Sequence, residues 1–141
     1  MVLKLGKSTV VLLIILLLGL TAAALSCSSE PGPKDTVRQM FDATEAGDWQ
    51  KAASYMTGVM EQPEWLIEQQ QSIIESVDIN NLKLSVMSES ENDATLKAEY
   101  DIEIRGAVFS DFTIEQHNTQ TVKLVRVEDR WLITEIVRFD Q

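Results

Sequence analysis

The chain has 141 residues, with 12 basic and 22 acidic side chains and a formal net charge of −10. So acidic a surface repels phosphate backbones, which sets nucleic-acid binding aside. A single cysteine excludes an internal disulfide, and a single histidine leaves no imidazole pair for a zinc site.

Lys4 and Lys7 precede an unbroken apolar run from Val10 to Leu18, and small residues then lead to Cys27. A positive start, a short apolar core and a small-residue site form the layout of a secretory signal. The string Ala23-Ala24-Leu25-Ser26-Cys27 resembles a bacterial lipobox, in which the thiol takes a lipid before cleavage. That resemblance implies a lipoprotein signal peptide over 1–26, a lipidated cysteine and flexible tether over 27–32, and one domain over 33–141. Two other readings stay open: simple cleavage after Ala24, or an uncleaved helical anchor across Ser8–Ser26, close to the usual length of about 18 apolar residues. Either lipid or helix places the domain outside the cytoplasm, in the cell envelope. With Cys27 as the new terminus, ten basic residues face 22 acidic ones, a net charge of −12. Such a domain is repelled by anionic headgroups, and its tether, Ser28-Ser29-Glu30-Pro31-Gly32, spans about 15–20 Å when stretched.

Pro33 and Asp35 suit a first helical turn. Val37, Met40, Phe41 and Thr44 follow at the spacing of one helix face. Gly47 is a stop, and Asp48 a cap for a short second helix carrying Trp49, Ala52, Ala53 and Met56, ending near Gly58. Pro63 and Glu64 open a third helix with Leu66, Gln70, Ile73, Ile74 and Val77 on one side.

From Leu82 the period becomes 2. Leu82, Leu84 and Val86 alternate with polar residues, and the turn SESEND follows. Ala94, Leu96, Ala98, Tyr100, Ile102 and Ile104 then make the clearest half-buried strand of the chain. A third strand runs from about Phe112 to Val127, Glu128-Asp129 turn it, and Arg130–Phe139 is the fourth. Three N-terminal helices on a curved four-stranded antiparallel sheet make an α+β domain.

The string Ala46-Gly47-Asp48-Trp49-Gln50-Lys51-Ala52 between helices, with a meander closing on Glu128-Asp129-Arg130-Trp131-Leu132-Ile133, resembles the nuclear transport factor 2-like (cystatin-like) superfamily. Within it the chain is similar to small bacterial lipoproteins of unknown function. The resemblance spans Pro33–Gln141 and implies a cone-like sheet wrapped on its helices. It also implies that a catalytic member projects an Asp or His into the cone. The inward set Ala94–Ile104 holds neither, and His117 shares outward parity with Glu115 and Thr119. The only cysteine is committed to the signal, and no serine stands in a nucleophile elbow. No catalytic residue, metal ligand or cofactor is therefore assigned.

A two-residue turn at Glu128-Asp129 sets Arg126 opposite Trp131, Leu124 opposite Ile133 and Val122 opposite Glu135, all inward. Arg126 on the Trp131 ring makes a cation–π contact, and Glu135 becomes a buried carboxylate. With Tyr100, Gln116, Asn118 and Gln120 these groups line a pocket. If the third strand bends in its polar middle, they sit on a wet rim instead. The turn Glu89, Glu91 and Asp93 is acidic but lacks the glycine and spacing of a calcium loop. The expected function is a membrane-tethered, non-catalytic binding or scaffolding module for a small apolar ligand or an envelope protein. The competing expectation is an isomerase- or dehydratase-type enzyme with Glu135 as base. A homodimer through the outer sheet face at Val125 and Leu132 is a further expected partnership.

Overall fold

A computed structural model describes residues 30–107 and 112–139. Cys27 and the expected signal segment lie outside the described residues. The first helix, α1 (Pro33–Glu45), begins with proline, whose fixed backbone angle suits a first turn, and Asp35 accepts the Gly32 N–H at 3.1 Å. Val37, Met40 and Phe41 are buried on its inner side. Gly47 takes a left-handed φ of 73°, and the Asp48 carboxylate caps α2 (Trp49–Ala53) by accepting the Lys51 N–H at 3.1 Å.

α2 stops earlier than its apolar spacing predicts. Met56 leaves the helical pattern and forms a parallel bridge with Ile133 on the edge of the last strand. Thr57 N–H donates to the Ile133 carbonyl at 2.9 Å, and Ile133 N–H to the Tyr55 carbonyl at 2.7 Å. These bonds satisfy edge groups that water would otherwise have to serve. A 3₁₀ turn (Gly58–Met60) and α3 (Glu64–Ile73) complete the helical part.

The third helix is also shorter than expected, and the first strand longer. Ile74 already has extended backbone, and β1 runs over Ile74–Glu89. The β-branched residues Ile74, Val77 and Ile79 favour a pleated strand over a helix. Val77, expected on the helix, is buried as a strand residue opposite Ile104.

β2 (Asp93–Gly106), β3 (Thr113–Val127) and β4 (Arg130–Arg138) follow in an open antiparallel sheet of order β1-β2-β3-β4. The Glu128–Asp129 turn has positive φ at both positions, 48° and 63°, the geometry of a type I′ hairpin. β1 is interrupted by three register shifts and β4 by one. Each extra residue bends its strand and deepens the twist.

The inward residues of β2 behave as the alternation predicts: Ala94, Leu96, Ala98 and Tyr100 are buried. With Val37, Met40, Phe41, Leu84, Val122, Leu124, Trp131 and Ile133 they form one core between α1 and the sheet. Burial of such side chains contributes roughly 1.5–3 kcal/mol each before entropy is charged. Among the described residues no helix is long and apolar enough to cross a membrane.

Candidate functional site

The inward face changes character along the sheet. Near the Glu128–Asp129 hairpin it is apolar; towards the other end it carries Tyr100, Asn118 and Gln120, all buried. Tyr100 O–H donates to Gln120 Oε1 at 2.9 Å, and the Phe41 ring meets the Tyr100 ring edge-on at 4.7 Å. Burial pushes the Tyr100 phenol above its ordinary value; hydrogen bonding with Asn118, the Arg138 charge and the bond to Gln120 oppose that rise. Gln116, opposite Ile102, is exposed. Three of the seven expected pocket residues thus form one buried hydroxyl–amide cluster.

Glu135 does not join it. Between Lys123 and Leu124 the β3–β4 register shifts, so Thr134 is the extra residue and Glu135 pairs with Lys123 rather than Val122. Beyond this bulge every β4 side chain changes face. The Glu135 carboxylate lies on the outer face, 2.9 Å from Lys123 Nζ and half exposed, while Ile136 takes the inward place beside Val122. The irregularity that leaves charge in water sits in β4, not in the polar middle of β3. Arg126 does stand opposite Trp131, and its Nη2 is 3.5 Å from Asp129 Oδ1. Val125 and Leu132 oppose each other in the same hairpin.

The same bulge brings in a residue that the sequence reading missed. Arg138 pairs with Gln120 and so shares the side of Tyr100. No alternation pattern could have placed it there without knowledge of the extra residue at Thr134.

The outer face holds a second constellation. His117 Nδ1 lies 2.7 Å from Asp101 Oδ1, and Asn81 Nδ2 donates to Asp101 Oδ2 at 2.8 Å. Asn81 occupies the β1 bulge with φ of 56°, a backbone state that asparagine tolerates better than most residues. The Asn81 bond, then the His117 contact, hold the Asp101 carboxyl below the usual carboxylate range. His117 stands between two open grooves. One, of about 380 Å³, is lined by Asp101, Glu103 and Glu115; the other, of about 500 Å³, reaches round the end of β4 and is lined by Lys97 and Glu99 of the outer face and by Asn118 and Arg138 of the inner one. The sequence gives Asp101 and His117 the same outward parity; only the β2–β3 register makes them neighbours. Among the described residues no three acidic, histidine or cysteine side chains are placed to hold a metal ion.

The architecture has counterparts among solved structures. A candidate aromatic ring hydroxylase from Novosphingobium aromaticivorans superposes with a TM-score of 0.60 at 11% identity, covering 76% of this chain and 86% of that one. The domain shares the α+β fold of that structure. A candidate dehydratase of the NTF2-like family from Streptomyces avermitilis gives a TM-score of 0.49 at 17% identity, over 73% of this chain and 95% of that one. No sequence-family profile and no curated protein matches the chain. Identities this low carry a fold across but not an activity, since one fold hosts unrelated functions.

Proposed function

We propose that the protein is a membrane-tethered envelope module that binds a small ligand or another envelope protein without transforming it. The observation that carries the non-catalytic half is the inward face itself. Among the described residues its buried part bears no carboxylate and no imidazole, the Glu89 opposite Ala94 being exposed, and its buried Tyr100 and Gln120 are bonded to each other. A hydroxyl and amides can hold a ligand by hydrogen bonds, and burial keeps the Tyr100 phenol protonated near neutral pH, where it cannot serve as a base. The Lys4–Cys27 pattern supports the tether, with a lipid on Cys27 and the domain outside the cytoplasm.

Membrane fractionation of the Cys27→Ser variant tests the tether. The expected result is a folded domain in the soluble fraction; retention of the variant in the membrane through an uncleaved helix would overturn the lipid anchor. Native mass spectrometry of the purified chain tests the binding half through a co-purifying ligand or partner.

One contact favours a second reading. Asp101 holds the Nδ1 side of His117, the arrangement by which a carboxylate orients a general base, and His117 lines both grooves. An activity that His117→Gln abolishes, with stability unchanged, would establish the enzyme.

A further inference from the structure

We infer that the groove at the end of β4 is a binding site for a small organic carboxylate with an apolar body. This rests on the ligand-binding reading above and names the chemistry of the ligand. The groove, of about 500 Å³, exists because β3 outruns its neighbour. Pairing ends with Gln120 opposite Arg138, and the Phe139 N–H closes the ladder on the Thr119 carbonyl at 3.1 Å. The rest of β3, back to Thr113, has β2 on one side and, among the described residues, no strand on the other.

On a chain of net charge −10, this lining is left with an unmatched positive charge. Its one carboxylate, Glu99, meets Lys97 at 2.9 Å, a bond that lowers the Glu99 carboxyl, and the two charges cancel. His117 is matched by Asp101 at 2.7 Å. Arg138 has no such partner: among the described residues no carboxylate stands within ion-pair distance of its guanidinium. Its charge reaches inward far enough to act on the Tyr100 phenol. A guanidinium is a planar fork of donors that matches both oxygens of a carboxylate at once.

Asn118 points to the same ligand independently. It lines the groove, yet only 6% of it is exposed. Tyr100 gives its own proton to Gln120, so Asn118 serves the phenol oxygen as a donor. An amide has two N–H groups, and among the described residues Asn118 has no other side-chain partner for the second. A nearly buried N–H calls for an acceptor, and the groove is where one can come from. The backbone adds a further donor. N–H groups of an antiparallel strand turn to alternate sides, so after Thr119 the next one of β3 on this side belongs to His117, past the last β4 pair. A guanidinium, an amide and a backbone N–H thus border one space, and an occupant that only accepts and carries negative charge answers all three. The half-exposed Phe139 ring lines the same groove and offers a surface to an apolar body, which selects an organic acid over an inorganic anion. The volume lies within the range of small-ligand sites.

The test is a calorimetric titration of the purified full chain in neutral detergent with sodium benzoate, and with benzamide as its uncharged counterpart of the same shape. Saturable binding of benzoate is expected, with benzamide weaker by about tenfold or more. Arg138→Gln, an exposed change, should weaken benzoate by a similar factor and leave benzamide unaffected. Asn118→Leu should weaken both; if that variant does not fold, Arg138→Gln decides alone. Absence of saturable benzoate binding, equal binding of benzamide, or an Arg138→Gln titration matching the parent overturns the site. Displacement of benzoate by an equal concentration of inorganic phosphate overturns the choice of an organic acid. A co-purifying ligand without an acid group, beside a failed benzoate titration, would sink this site and leave the ligand-binding reading standing.

Discussion

At the scale of single residues, the most informative pair is Tyr100 and Gln120. Both are nearly sealed from water and joined at 2.9 Å. Tyr100→Phe keeps the ring against Phe41 but strands the Gln120 oxygen. A buried acceptor left unmet costs about 1–3 kcal/mol, more than the bond itself contributes net. Urea unfolding should show that loss, and a variant as stable as the parent would mean that water reaches the cluster. Asp101 makes a prediction in pH. Its folded value is lowered, first by Asn81 and then by His117, from an ordinary 3.8. A lowered carboxyl adds stability that is complete above the unfolded value and lost as pH falls through the folded one. Asp101→Asn should therefore flatten the fall in stability below pH 3.8, and the parent's steeper acid limb is the signal to measure. Both residues were assigned to their faces by parity alone, since β2 has a strict period of 2. Their partners were not, because a partner depends on register across strands, which one strand's pattern does not contain.

At the scale of elements, the bulge at Thr134 decides what the last strand does. Either register of β4 places apolar residues inward: Trp131 and Ile133 before the bulge, Ile136 after it. The hydrophobic pattern alone is nearly indifferent to one extra residue. The physical preference comes from Glu135. A regular hairpin would bury its charge opposite Val122, whereas the bulge puts it in water against Lys123 at 2.9 Å. Burying an unpaired carboxylate is far more costly than one local irregularity in a ladder. Glu135→Gln should accordingly shift stability by less than about 1 kcal/mol, the range of exposed ion pairs. A clear gain in stability at neutral pH would restore the buried placement, and thermal unfolding at two pH values distinguishes the cases. The helix-to-strand boundary at Ile74 was hidden for a related reason. Ile73, Ile74 and Val77 satisfy a helical spacing, yet the branched side chains and the bulge at Glu75 let Ile74 and Val77 pack as a strand, with Ile73 the last helical residue.

At the scale of the molecule, two electrostatic effects oppose each other, and salt separates them. The outer sheet face is laced with exposed pairs: Lys97 with Glu99, Glu103 with Arg105, Asp101 with His117, and Lys123 with Glu135. Each is weak because both partners are exposed, and screening weakens all of them further. Against them stands the self-repulsion of a chain with 22 acidic and 12 basic groups, which disfavours the compact state and is also screened. The pairs are short-range and few, while the excess charge acts between every acidic side chain within a Debye length, about 30 Å at 0.01 M salt. Repulsion should win. The melting temperature is expected to rise by a few degrees as sodium chloride increases from about 0.01 M to 0.2 M, where the Debye length shortens to well under 10 Å. Scanning calorimetry across that range reads the sign directly. A fall would mean that the outer-face pairs act as a network, and that the acidic surface is fitted to this fold rather than merely tolerated by it.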